Sequence, residues 1–118
     1  MFSSLETVIS WVGTTFKIPT STYPQPWTGE PFAVVNRVGG ECPYPHDYPR
    51  IAVQLWTASD ADGESAAFAC ALAVDSLMQE SSRINAVGAP EITQLGHVES
   101  GAFVWQVSFD LATNIYNS

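Results

Sequence analysis

Residues 102–112 are Ala-Phe-Val-Trp-Gln-Val-Ser-Phe-Asp-Leu-Ala, and they carry the clearest strand pattern in the chain. Large apolar side chains occupy every second position, at Phe103, Trp105, Val107, Phe109 and Leu111. Successive side chains of a strand point to opposite faces of a sheet, so this period of two predicts a long strand with one face in a core. A strand of this length needs pairing partners and a layer that covers its apolar face.

Three other segments are predicted to supply the partner strands. Residues 32–38 form a strand that ends in a turn at Gly39 and Gly40, where a positive φ is tolerated. Residues 50–57 form a second strand, which could pair with the first as an antiparallel hairpin. Residues 91–96 form a weaker strand before the long one.

Two helices are predicted to form the covering layer. The first spans residues 3–13 and stops at Gly13. The second begins with the capping residues 59–62 and runs to about Ser81. The element order is therefore α-β-β-α-β-β. We expect one α+β domain over residues 1–118, with a four-stranded, mostly antiparallel sheet and both helices packed on one face.

Two proline-rich segments, residues 17–31 and residues 41–49, are expected to be loops. Their aromatic residues include Tyr23, Trp27, Tyr44 and Tyr48. Trp27 either covers one edge of the core or is an exposed contact residue. The 41–49 loop is either a contact surface or a packed turn.

Charge and composition exclude several classes of function. The 118 residues include 12 acidic and 4 scattered basic ones, for a formal charge of −8. Nucleic-acid binding and attachment to anionic membranes both need a basic surface, so neither is expected. No apolar run reaches the roughly 18 residues of a membrane span. The first residues do not resemble a signal peptide, and the chain has only two cysteines, so we expect a reducing cytoplasm as the site of folding.

Candidate catalytic and metal-binding groups are few. The alternating acidic residues of 60–64 resemble the start of a calcium loop, but its twelfth position is Ala71, so helix capping is the better interpretation. Cys42 and His46 are too few for a structural zinc site and lack a visible orienting group for catalysis. We therefore predict no enzymatic activity, no metal and no cofactor.

The second helix has an apolar face and two apolar residues outside it. The face consists of Ala66, Ala67, Cys70, Ala73, Val74, Leu77 and Met78. Phe68 and Leu72 lie on another side, which they share with Glu64 and Asp75. Either the first helix or the 17–31 loop covers them, or they form a subunit interface. In the latter case Tyr23 and Trp27 of the 17–31 loop are a plausible mate.

Three segments together resemble a known family. They are Pro31-Phe-Ala-Val-Val-Asn-Arg-Val-Gly-Gly40, then Tyr48-Pro-Arg-Ile-Ala-Val-Gln-Leu-Trp-Thr-Ala-Ser-Asp60 with the Ala-rich helix to Leu77, and the closing strand 102–112. This arrangement resembles the tail terminator (tail completion) proteins of long-tailed bacteriophages, over about residues 1–116.

The resemblance implies a structural protein of the virion, located in the tail or neck and assembled in the host cytoplasm. It implies a homo-oligomer, most simply a hexameric ring, that caps the tail tube protein and meets the head completion or connector protein. A small ferredoxin-like enzyme or ligand-binding domain is the alternative, with Trp56, Trp105 or His97 lining a pocket. The two differ in solution mass, since the alternative predicts a monomer or dimer.

Overall fold

The computed structural model describes residues 2–115, which form two α-helices and a seven-stranded mixed sheet. The elements in chain order are α1 (Ser4–Phe16), β1 (Thr20–Ser21), β2 (Phe32–Gly39), β3 (His46–Asp47), β4 (Arg50–Thr57), α2 (Asp60–Ala73), β5 (Ile84–Val87), β6 (Glu91–His97) and β7 (Phe103–Asn114). A 3₁₀ helix, Val74–Gln79, continues α2.

Strand β7 is the centre of the sheet. Its residues 103–110 pair antiparallel with β4, and the far end of the same edge pairs with β3. Its other edge pairs with β6 over residues 103–108 and then with β5. β2 lies outside β4, and β1 adds a short parallel strand beyond β2. The period-two pattern of β7 therefore marks a strand with partners on both edges.

The predicted four-stranded sheet is wrong, although the α+β class is consistent with the structure. The four predicted strands correspond to β2, β4, β6 and β7, and the antiparallel pairing of β2 with β4 is confirmed. The sheet also contains β1, β3 and β5, which have only two to four residues each. Segments of two to four residues are too short to show a period of two. Whether they pair depends on the strand beside them, which their own sequence does not indicate.

One face of the sheet holds the main core beneath both helices. Val107 is opposite Val53 and Phe109 is opposite Ile51, and all four side chains are buried on this face. Side chains of both α1 and α2 belong to the same buried cluster. Trp11 of α1 also donates its indole N–H to the Ser76 hydroxyl at 2.8 Å, which fixes α1 to the 3₁₀ helix.

The opposite face of the sheet is also partly covered. The Phe32 ring stacks on Trp56, with 5.1 Å between ring centroids. Trp27 lies 6.1 Å from Phe32 and reaches Gly101 in the turn between β6 and β7. Val104, which also lies on this face, is buried. The 17–31 loop therefore covers one end of the face that α1 and α2 leave open.

Both helices end elsewhere than predicted. α1 continues past Gly13 to Phe16, and Lys17 ends it in the left-handed conformation with φ of 55°. α2 ends at Ala73 and gives way to the 3₁₀ helix, instead of continuing to about Ser81. Between residues 2 and 115, neither helix is long and apolar enough to cross a membrane.

Candidate interaction surface

The N-terminus of α2 is fixed by side-chain hydrogen bonds. The Ser59 hydroxyl accepts the Asp62 backbone N–H at 3.1 Å, so Ser59 is the N-cap. Asp60 accepts the indole N–H of Trp105 at 3.0 Å, which joins α2 to the central strand. The acidic residues of 60–64 thus belong to a helix start, as the capping interpretation predicted.

A stripe of small residues sets the rotation of α2. Gly63 is buried directly against the Trp105 indole, and a Cβ at this position would collide with that ring. Ala67 and Cys70 continue the stripe and are fully buried against the sheet. The absence of large side chains lets the helix approach the sheet closely, and this face cannot turn outward without losing its packing.

This rotation leaves Phe68 and Leu72 facing outward; we call these two residues the α2 ridge. Phe68 is 52% exposed and Leu72 is 85% exposed. Leu72 is therefore left uncovered within the subunit, and about half of the Phe68 surface is covered. The exposed acidic residues Glu64 and Asp75 are near them in sequence. The ridge is therefore a pair of large apolar side chains on the exposed surface of α2.

The 17–31 loop contributes one exposed aromatic residue and one packed one. Tyr23 is 74% exposed. Trp27 is half-buried against Phe32 and Gly101, as described above, so it covers one edge of the core. Of the two interpretations of Trp27, the structure favours the covering role.

The 41–49 loop is a packed turn with exposed tyrosines. Asp47 is buried and accepts two hydrogen bonds from the Arg37 guanidinium, at 2.7 and 2.9 Å. These hydrogen bonds raise the pKa of Arg37. Tyr44 and Tyr48 remain exposed. The packed-turn alternative therefore holds for the backbone of this loop, and its role as a contact surface stays a prediction.

The structure also shows an apolar groove between α1 and α2 that the sequence did not indicate; we call it the α1–α2 groove. It encloses about 440 Å³. Its apolar lining includes Phe16, Ile18, Pro31, Leu55 and Ala66. These residues come from separate segments of the chain, and Phe16 belongs to the helical turn that was not predicted. The only signal in the sequence was the apolar pair at positions 16 and 18.

One basic residue lies beside this groove. Lys17 lies between two groove residues in sequence, is exposed, and forms no ion pair within residues 2–115. By contrast, Arg37 is paired with Asp47, and Arg50 lies 3.3 Å from Asp110. Lys17 is thus a positive charge available to a partner.

The sequence-derived candidates for chemistry include Cys42 and His46. Over residues 2–115, no three metal-ligating side chains come together. The Cys42 thiol contacts the backbone carbonyl of His46 at 3.5 Å. Burial raises the pKa of the Cys70 thiol to about 12, so it remains protonated at neutral pH.

The aromatic residues proposed to line a ligand pocket make other contacts in the structure. Trp105 donates a hydrogen bond to Asp60. The Trp56 ring stacks on Phe32, and the His97 ring packs against Phe103. None of Trp56, Trp105 and His97 lines the α1–α2 groove.

Comparison of the chain with protein-family models and with curated proteins gave no match.

Proposed function

We propose that this chain is a structural subunit that assembles with copies of itself into a ring, as a tail terminator of a long-tailed bacteriophage. The observation that carries the proposal is the exposed α2 ridge on a helix whose other face is fixed to the sheet. Phe68 and Leu72 are large apolar side chains that stay at least half exposed in the monomer, and they lie one helical turn apart, so they can form one continuous contact surface.

The ridge is large enough to contribute substantially to an interface. Complete burial of a Leu or Phe side chain contributes about 1.5–3 kcal/mol, and both residues here start at least half exposed. Burying the ridge on a neighbour would therefore yield about 2–4 kcal/mol per contact. A weak contact of this size becomes effective when a closed ring repeats it at each subunit.

The net negative charge of the chain opposes assembly, so assembly should depend on ionic strength. Each subunit carries a formal charge of −8, and like charges repel as a ring closes. At an ionic strength of about 0.1 M, salt largely screens the repulsion between exposed charges that are more than about 10 Å apart. Assembly should therefore strengthen with ionic strength, which is opposite to what an interface held mainly by ion pairs would show.

The remaining partners are those that the family resemblance implies. The ring would cap the tail tube protein on one side and meet the head completion or connector protein on the other, within the tail or neck of the virion. Tyr23, Tyr44 and Tyr48 are exposed aromatic residues on the surface of the subunit. Tyrosine suits such surfaces because it offers a large contact area and a polar end.

A variant with Phe68→Glu and Leu72→Glu tests the proposal. The monomer should keep its fold, because both side chains lie outside the buried face, while assembly should be lost. The control is Ser10→Glu with Thr14→Glu, which places the same charges four residues apart on exposed positions of α1. Circular dichroism checks folding, and light scattering measures mass.

The comparison gives a clear decision. If the ridge variant is folded and monomeric while the control assembles like the wild type, the interface is supported. If the ridge variant assembles normally, or if control and ridge variant lose assembly equally, the ridge is not the contact. Tails assembled with the ridge variant should lack a proper end and fail to join heads.

A small-ligand-binding domain is the second candidate, because the α1–α2 groove is apolar and of a size that suits small molecules. This function predicts a monomer or dimer that binds an apolar dye in the groove at all salt concentrations. It therefore differs from the ring in both mass and salt response.

A further inference from the structure

We propose that the outer edge of β6 pairs with an extended, basic segment of a different protein; we call residues 91–97 the β6 edge. β6 pairs with β7 along one side, and within residues 2–115 no further strand pairs with its other side. Alternate backbone N–H and C=O groups of such a strand face outward, where they can bind an added strand. The inference goes beyond the proposed ring and does not depend on it, because β6 and the α2 ridge are separate elements.

The short strands of the sheet are protected against added strands, whereas β6 is not. β1 and β3 have two residues each, and β5 has four. Pro19 directly precedes β1, and Pro45 and Pro49 flank β3. Proline has no backbone N–H and a very short strand offers few groups, so both features limit pairing. By contrast, β6 has seven residues, none of them proline or lysine.

A bulge in β6 exposes one apolar side chain at this edge. The register shifts between Gln94 and Gly96, so Leu95 has no partner residue on β7. Gly96 has a φ of 96°, which glycine adopts without strain. A bulge interrupts regular pairing along an edge, so the added segment should pair with residues 91–94. It would then contact the Leu95 side chain, which is 48% exposed.

The charges around the β6 edge define the chemistry of the partner. Glu91 begins β6 and Glu99 lies two residues beyond its end, and both are exposed. Arg50 lies 3.5 Å from Glu91 but also 3.3 Å from Asp110, so one positive charge serves two negative ones. Residues 92–98 contain no Asp, Glu, Lys or Arg. The complement is therefore an extended segment with an uncharged middle and a Lys or Arg at each end, in either strand direction.

The same charges disfavour a second copy of this chain as the partner. Two β6 edges that pair with each other would bring the acidic ends, Glu91 and Glu99, of both copies together. At the opposite edge of the sheet, β1 offers only two residues for pairing. None of the strands between residues 2 and 115 has a basic residue at both ends. The complementary segment must therefore come from another protein.

Three synthetic peptides test this assignment with the wild-type protein. The first, Lys-Val-Thr-Val-Thr-Val-Lys, should slow amide hydrogen exchange at residues 91–94, because its backbone covers the β6 edge. The second has Glu in place of both Lys residues and should bind about five-fold more weakly at low salt, since it loses two exposed ion pairs. The third, Lys-Val-Thr-Pro-Thr-Val-Lys, should give no slowing, because proline interrupts the added strand.

A matched pair of variants tests the charged ends of the edge. Glu91→Gln with Glu99→Gln should weaken binding of the first peptide about five-fold. The control is Glu6→Gln with Glu80→Gln, which changes the net charge equally at exposed positions in the helical layer. The control should bind the peptide like the wild type. All four positions are exposed, so both variants should keep the fold, which circular dichroism checks.

The inference is supported if exchange slows at the β6 edge in this order of peptides and only the Glu91/Glu99 variant binds more weakly. It is overturned if the first peptide leaves the β6 amides unchanged, if the three peptides act alike, or if both variants lose binding equally. Slower exchange at the β6 edge with rising protein concentration and no peptide would also overturn it, by identifying a second copy as the partner. None of these results bears on the ring, whose test is the mass of the protein in solution.

Discussion

Replacing Gly63 by alanine should destabilise the protein, while the same replacement at Gly13 should stabilise it. Both glycines lie inside helices, where alanine is preferred by about 1 kcal/mol. Their surroundings differ. A Cβ at Gly63 would collide with Trp105 and lie 3.0 Å from the Thr57 hydroxyl, whereas a Cβ at Gly13 would lie 3.6 Å from the Thr20 hydroxyl, an ordinary contact.

The magnitudes follow from these distances. Overpacking a well-packed site costs about 1–3 kcal/mol. Trp105 cannot easily move away from an added Cβ, because its indole N–H donates a hydrogen bond to Asp60. After the helix preference of about 1 kcal/mol is subtracted, Gly63→Ala should lose about 1 kcal/mol. Gly13→Ala should gain about 0.5–1 kcal/mol.

Urea denaturation of both variants and the wild type measures these free energies, provided that the m-value is unchanged. The refuting result is a Gly63→Ala protein as stable as the Gly13→Ala protein. Trp105 would then not be held against α2, and the outward orientation of the ridge would lose its structural basis.

Two further predictions concern groups outside the ridge. A thiol reagent at neutral pH should label Cys42 alone in the folded protein and Cys70 only after denaturation, because burial raises the Cys70 pKa to about 12; rapid labelling of both would show that α2 is not packed on the sheet. Asp47→Ala should lower the free energy of unfolding by about 1–2 kcal/mol, and by less at high salt, because it removes two hydrogen bonds to the half-exposed Arg37; an unchanged stability would show that this pair does not anchor the 41–49 loop.

Strong periodic patterns allowed the long strands to be predicted. The alternation that begins at Phe103 placed Val107 and Phe109 on the face shared with Ile51 and Val53, and the strand register confirms this. The pattern could not show that this strand has partners along both edges. That information lies in β1, β3 and β5, whose pairing depends on tertiary contacts.

The 100° spacing of the second helix predicted correctly that Phe68 and Leu72 lie off the buried face, and predicted wrongly that Met78 lies on it. The first two lie off the buried face, as the 100° spacing predicted. Met78 was expected in the apolar face but is exposed, while Leu77 is buried. The reason is the change to a 3₁₀ helix at Val74, where the rotation per residue increases to about 120° and shifts every later side chain around the axis.

The α1–α2 groove could not be predicted, because it depends on where α1 ends. Gly13 is a common helix stop, but tertiary contacts carried the helix one turn further and placed Phe16 at the groove. Glycine inside a helix costs only about 1 kcal/mol, so packing can outweigh it.

The most direct test of the central claim is the mass of the wild-type protein in solution, measured by light scattering over a range of protein and salt concentrations. We expect a shift from the mass of one chain to that of a closed ring, most simply of six chains, and a shift to lower protein concentration as salt is added. A protein that keeps the mass of one chain at every concentration and salt level, and in the presence of tail tubes, would contradict the claim.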